Sequence, residues 1–154
     1  MVNADLFQGL EASEAERVLA LGKRTLLTTG AELFHLGDVA DSVYLVVRGR
    51  LRLTLPMQVR RREEDVMVEE RSSGQTVGWS ALIPPYRFTL TATAMLETEV
   101  VALSRNELNR YFAAHAETGY AVSVNLAKVV GHRLQLFQAM WLREIQRMVE
   151  LRCA

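Results

Sequence analysis

The chain has 154 residues, 49% of them hydrophobic, and its 18 Lys and Arg are balanced by 18 Asp and Glu. That is enough apolar material for one domain with a packed core, and zero formal net charge argues against a nucleic-acid surface covering the whole domain. A single cysteine, Cys153, excludes an internal disulfide and a multi-cysteine zinc or iron–sulfur site, and favours a reducing compartment.

The first residues, MVNADLFQGLEASEAERV, are acidic and lack the long apolar run of a secretory signal. No stretch reaches the length of a membrane span, so a cytoplasmic protein without a membrane partner is expected. Residues 4–22 read as helical, with Ser13 as N-cap, Glu16 completing a capping box and Gly22 as C-cap. From residue 23 the period changes to that of strands. Residues 26–29, 32–35, 43–47 and 50–55 read as strands, separated by turn signals at Gly30, Gly37-Asp38 and Gly49. The last alternates, with Arg50 and Arg52 outward and Leu51, Leu53 and Leu55 inward. Residues 56–65 break the pattern, and Arg60-Arg61-Arg62 followed by Glu63-Glu64-Asp65 predicts a solvated hairpin tip rather than a docking patch for an acidic partner. Residues 66–71 form the return strand, and 97–104 another with Val100, Val101, Ala102 and Leu103 buried. Closely spaced short strands predict a sandwich or barrel.

Between these last two strands, residues 74–94 open on a turn with Gly74 and Gly78 bracketing Val77. Residues 79–83 predict a one-turn helix that Pro84-Pro85 ends, followed by a strand through Arg87 and a Thr/Ala alternation. A glycine entering a short helix leaves free N–H groups, and an arginine a few residues on suits phosphate geometry. The stretch therefore reads either as a phosphate-sized pocket or as a short crossover with Arg87 on the surface.

Ser104 as N-cap, with Glu107 as its box partner, begins a helical C-terminal part, and Gly119 permits a break before a last helix over residues 120–151. That helix overhangs a domain of this size. Its apolar stripe is Leu126, Val130, Leu134, Phe137, Trp141, Ile145 and Met148, at steps of three and four. A second copy of the helix is the simplest cover, giving a two-fold homodimer anchored by Phe137 and Trp141. Met140 and Met148 read as adaptable packing on that seam.

The run GDVADSVYLVVRGRLRL, residues 37–53, resembles the signature of the cyclic-nucleotide-binding domain of the bacterial catabolite-activator and fumarate–nitrate-regulator superfamily, through Gly37, Asp38, Ala40, Asp41, Tyr44, Gly49 and Leu51. LFQGLEASEAERVLALG resembles the N-terminal helices of that family, and EVVALSRNELNRYF resembles the strand and helix that close its barrel. The fold implied is mainly β with helices: a jelly-roll barrel (a double-stranded β-helix) with N-terminal helices over residues 1–118, and a long C-terminal dimerisation helix over 119–154. The family's winged helix-turn-helix would follow that helix and is not expected in this chain, so direct DNA binding is not expected either.

The resemblance makes residues 74–94 the phosphate-binding cassette. Gly78, Ala81 and Leu82 match the family pattern, whereas Trp79 stands in the slot of the ribose-binding glutamate. With the length from Gly78 to Val100 kept, Arg87 falls one place early and Phe88 takes the slot of the phosphate-binding arginine, while a shorter loop at Pro84-Pro85 would restore Arg87 to it. A hydrogen bond to a charged group contributes about 1.5–3 kcal/mol, so loss of one carboxylate weakens binding without abolishing it. The indole of Trp79 either fills the ribose space or offers a face to a ring. The ligand set implied is Gly78, Trp79, Ser80, Ala81, Leu82, Arg87, Phe88 and Thr89, with Thr91 as a further hydroxyl donor, and the ligand is cyclic AMP, cyclic GMP or a related small anion. Two readings follow: a non-enzymatic ligand-sensing regulatory module signalling through the dimer helix, or a ligand-free module kept as a dimerisation and interaction scaffold. A haem sensor would need ligands from His35, His115 and His132, which lack metal-ligand spacing, and no nucleophile–base pair points to catalysis.

Overall fold

The computed structural model describes residues 4–154, so residues 1–3 of the expected first segment lie outside the described part. A 3-10 turn over Asp5–Phe7 leads to helix α1, Ala12–Ala20. Eight strands follow: β1 Lys23–Leu27, β2 Glu32–Phe34, β3 Ser42–Arg48, β4 Arg50–Val59, β5 Arg62–Ser72, β6 Thr76–Val77, β7 Thr91–Ala94 and β8 Thr98–Ser104. Helices α2, Arg105–Ala114, and α3, Ala116–Cys153, complete the chain. The strands form two four-stranded antiparallel sheets, ordered β1-β8-β3-β6 and β2-β7-β4-β5. Leu45, Val46, Val77 and Val100 from the first sheet and Leu51 and Leu53 from the second are among the side chains that fill the core. This is the jelly-roll with N-terminal helices and a long C-terminal helix that the sequence leads one to expect.

Several boundaries differ, each for a local reason. Residues 4–22 are not one helix: Gly9 takes φ +80°, which breaks the chain direction after the 3-10 turn. Helix α1 starts after Glu11, not Ser13, and ends at Ala20 with Leu21 as its cap. Gly22 serves close packing instead, because a Cβ there would lie 2.2 Å from Val101 Cγ1. The hairpin tip shrinks to Arg60 and Arg61, both at positive φ (48° and 69°), while Glu63, Glu64 and Asp65 pair with Gln58, Met57 and Pro56. Pro56 is accepted in β4 because pairing with β7 stops at Thr54, leaving a neighbour on one side only. A register shift between Leu53 and Thr54 also interrupts the alternation, so Thr54 is buried and Leu55 turns only half-inward. Ser104 is the N-cap of α2 by position, but its side chain makes no cap bond and Glu107 pairs with Arg110. The helical break falls at His115 rather than Gly119. Gly119 lies inside α3, where a Cβ would sit 2.9 Å from Phe112 Cβ.

Two polar anchors hold the base of α3 to the N-terminal turn and helix α1. Asn125, buried, donates through Nδ2 to the carbonyls of Leu6 (3.0 Å) and Gln8 (2.8 Å). Glu14 on α1 accepts from Tyr111 Oη (2.8 Å) and Thr118 Oγ1 (2.6 Å), tying α1 to α2 and α3. At 38 residues α3 is about 57 Å long at 1.5 Å per residue. Past its base it still meets the barrel through Arg133 and Glu69 of β5, and beyond Phe137 its side chains are almost all exposed.

The hydrogen bonds from Thr118 and Tyr111, with Arg17 adding to them, hold the Glu14 carboxyl below the ordinary glutamate range. A carboxylate depressed in the folded state contributes stability that is present above its unfolded pKa and is lost as pH falls through the folded one. Below the ordinary glutamate range, Glu14→Gln is therefore expected to lose stability less steeply with acid than the wild type, read by circular dichroism at stepped pH. Gly49 has φ +96°, and a Cβ there would meet the Thr98 Cα at 2.6 Å and the Glu97 carbonyl oxygen at 2.7 Å. Those are backbone atoms that cannot swing away, so Gly49→Ala is expected to cost about 2–4 kcal/mol in urea unfolding.

Candidate ligand site

The cassette begins where Gly78, at φ 74°, turns the chain from β6 into a 3-10 turn over Trp79–Leu82. A Cβ on Gly78 would lie 3.1 to 3.3 Å from the rings of Phe88, Tyr44 and Phe34, so glycine is required by conformation and by crowding alike. Phe88 is 5% exposed and stacks on Phe34 with ring centroids 3.8 Å apart and planes 9° from parallel. Tyr44 extends the cluster at 5.8 Å from Phe34. The space left between this cluster, Gly78–Ser80, Thr89, Leu90 and Arg133 is about 20 Å³, room for about one water.

The remaining cassette residues are placed as follows. Arg87 does not lie in a strand; it forms an isolated bridge with Val39, and its Nη1 donates 2.9 Å to the Gly37 carbonyl at the surface. Ser80 and Ala81 are buried, Leu82 is half-buried, and the Ala81 N–H is engaged with the Gly78 carbonyl at 3.0 Å. Thr89 is exposed, and the Thr91 hydroxyl accepts from the Leu36 N–H at 3.0 Å. Trp79 is half-buried and lies beneath α3, with the Arg133 guanidinium carbon 5.5 Å from its ring centre. Together with Leu55, Val130, Leu134 and Phe137 it lines an apolar hollow of about 340 Å³ between barrel and helix. The structure thus brings Gly78, Trp79, Ser80, Phe88 and Thr89 together, and separates Arg87 from them.

Along α3 the apolar stripe changes character. Leu126 packs partly on the core and Val130 is half-buried, whereas Leu134, Phe137, Trp141 and Met148 are exposed and Ile145 is intermediate. Trp141, the largest of them, is 66% exposed.

Two arginines escaped the sequence reading. Arg105 donates to the carbonyls of Ala40 (2.8 Å) and Ala81 (3.1 Å) and lies 4.0 Å over the Tyr86 ring, clamping the cassette turn to α2. Its position one residue after a helix N-cap carried no signal for that contact. Arg133 reaches from α3 to Glu69 of β5, which also pairs with Arg71. The charge alternation of Glu69-Glu70-Arg71 could have flagged this strand, but nothing in the sequence joins it to residue 133. His35 pairs with Glu32 at 3.2 Å, His115 stacks on Tyr111, and among the described residues no three His, Cys, Asp or Glu gather as metal ligands.

Residues 24–115 match the cyclic nucleotide-binding domain family. The chain belongs to this family. It is 25% identical over 151 residues to the cyclic AMP receptor protein of Thermus thermophilus, covering 98% of this chain and 63% of that relative. It therefore spans less than two thirds of the relative's length. The crystal structure of the Thermus thermophilus catabolite activator protein superposes with a TM-score of 0.76 at 25% identity, over 90% of this chain and 62% of that one. A cyclic nucleotide-binding domain from Methylobacillus flagellatus superposes at 0.79 and 19% identity, over 93% and 79% of the two chains, which shows the shared fold. Beneath Gly78, the side chain at residue 88 is an apolar plug, packed on Phe34.

Removing that plug tests its place in the core. Phe88→Ala is expected to cost about 3–5 kcal/mol, as for other buried aromatics. Urea unfolding checks it, and a cost under 1 kcal/mol would mean that the ring is not packed on Phe34 in solution.

Proposed function

We propose that the chain is a non-enzymatic regulatory module of the cyclic nucleotide-binding family whose cassette is closed to nucleotides, and which works as a homodimeric interaction scaffold through α3. The observation that carries this reading is the Phe34–Phe88 stack beneath Gly78, which puts a packed apolar ring where the family resemblance expects a phosphate-binding arginine and leaves about 20 Å³ directly against Gly78–Ser80. Two of the contacts such a ligand would need are also engaged within the protein, the Arg87 guanidinium with Gly37 and the Ala81 N–H with Gly78. The barrel then serves as the body of the module and residues 119–154 as its dimerisation arm. The exposed Leu134, Phe137, Trp141 and Met148 face their counterparts in the second copy. This role needs neither direct DNA contact nor a membrane, and no helix of the described residues is long and apolar enough to cross one.

A second reading has a specific observation behind it. The family match covers the whole cassette, and the printed name of the Thermus relative is a cyclic AMP receptor. In that reading Phe88 swings out, Arg87 leaves Gly37, and cyclic AMP, cyclic GMP or a related anion enters against Gly78–Leu82. The ligand would act by binding one arrangement of α3 better than another.

Calorimetric titration separates the two. The scaffold reading expects no saturable heat from cyclic AMP or cyclic GMP at millimolar concentration. Micromolar binding that Arg87→Ala removes would establish the sensor instead. Sedimentation equilibrium tests the arm. The wild type is expected to be a dimer, and Phe137→Glu with Trp141→Glu is expected to weaken association at least ~30-fold, as charges replace two central aromatic anchors. A wild-type monomer, or a double variant that dimerises unchanged, would remove α3 as the interface.

A further inference from the structure

A second cluster meets the cassette at Arg133 and extends away from it along α3. A cavity of about 480 Å³ opens between the N-terminal 3-10 turn, β5 and α3, within the size range of small-molecule sites. Its lining holds three permanent cations, Arg71, Lys128 and Arg133, and three carboxylates, Asp5, Glu69 and Glu70. Two of those carboxylates are committed elsewhere. Asp5 accepts from the N–H groups of Leu6 (2.8 Å) and Thr76 (3.1 Å) and from the Thr76 hydroxyl. Glu70 faces Arg50 at 3.8 Å. Glu69 is left as the single counter-ion, with one carboxylate oxygen on Arg71 and the other on Arg133.

Both arginine side chains are only 12% exposed, and the Nε–H of each is buried without an acceptor. Buried donors left unmade are costly and rare enough in native proteins to call for a reason. Two guanidinium groups held by one carboxylate, with an ammonium lining the same cavity, carry more N–H donors than that carboxylate can satisfy. A tetrahedral dianion can satisfy them, because each guanidinium can offer a paired N–H edge to phosphate oxygens.

We propose that Arg71, Arg133 and Lys128 form an oxyanion site, selective for the phosphate group of a small phosphorylated molecule, in which the phosphate displaces Glu69. His132 lines the same cavity one turn from Lys128 and adds a further imidazole donor. Burial depresses the Arg133 pKa even against the pull of Glu69, and the nearby Arg71 adds to the depression. Because Arg71 lies on β5 and Arg133 on α3, the bound phosphate would take over the contact that joins barrel to helix. The site adjoins the cassette at Arg133, which also borders the space beside Gly78 and Phe88, whereas Arg71 and Lys128 line only the second cavity and so report on it alone.

The test is calorimetric titration of the full chain with inorganic phosphate at fixed pH and ionic strength, chloride replacing phosphate in the control. Saturable binding is expected in the wild type, weakened in Lys128→Ala and lost in Arg71→Gln and Arg133→Gln. Lys128 is exposed, so its variant reports on the site even where an arginine variant fails to fold. Glu69→Gln removes the competing carboxylate and is expected to bind phosphate about tenfold or more tightly, the equivalent of one charge-assisted hydrogen bond no longer displaced. Arg87→Ala is expected to bind phosphate as the wild type does. Absence of saturable binding in both wild type and Glu69→Gln would overturn the site, as would an affinity unchanged in Lys128→Ala and Arg71→Gln. Loss of binding in Arg87→Ala would place the anion in the cassette and overturn it too.

Discussion

The stack of Phe88 on Phe34 sets the shape of the whole mouth of the barrel. Two rings 3.8 Å apart and nearly parallel need a backbone without a side chain above them, and Gly78 supplies it at φ 74°. With Phe88 turned inward, its neighbour Arg87 is carried to the surface, where it closes the turn at Gly37. Trp79 meanwhile lies under the long helix. A position that the family pattern gives to a cation pointing at a ligand thus holds an apolar side chain pointing at the core. The free energy of the cassette comes from burial rather than from ion pairing.

The helix is the second structural commitment. Its base is fixed by polar contacts that leave little freedom: Asn125 reads two main-chain carbonyls, and Glu14 gathers α2 and α3 onto α1. Higher up, among the described residues, Arg133 links the helix to the barrel through a carboxylate it shares with Arg71. Beyond that point the helix carries Phe137, Trp141 and Met148 into solvent, an arrangement that costs apolar exposure unless another surface covers it. The molecule therefore has a rigid base, a charged latch and an uncovered arm.

Much of this was legible residue by residue. The core strands announced themselves because alternation and β-branched runs report burial on a pleated sheet, and Gly30, Gly37 and Gly49 mark turns because each takes a positive φ that side chains disfavour. The long helix was legible from a stripe at steps of three and four. Where local signals failed, a tertiary contact had outvoted them. Gly22 and Gly119 resemble helix breakers, yet they are glycines because Val101 and Phe112 press against them. Pro56 looked like the end of a strand, but it falls where β4 has one open side. Ser104 caps by position while its hydroxyl makes no cap bond.

The candidate site divides along the same line. The order of residues alone determined that a glycine turn, a one-turn helix and a proline stop would follow one another; the slots of Trp79 and Phe88 are what the family resemblance implies. Those are statements about neighbours in the chain. Only the tertiary structure decided that Phe88 would find Phe34, that Arg87 would be spent on a carbonyl 50 residues away, and that Arg71 and Arg133 would meet over Glu69. Each of those outcomes depends on which surfaces the two sheets and the long helix bring face to face. The pairing of groups far apart in sequence is set by packing of the whole fold, which no local period or spacing encodes.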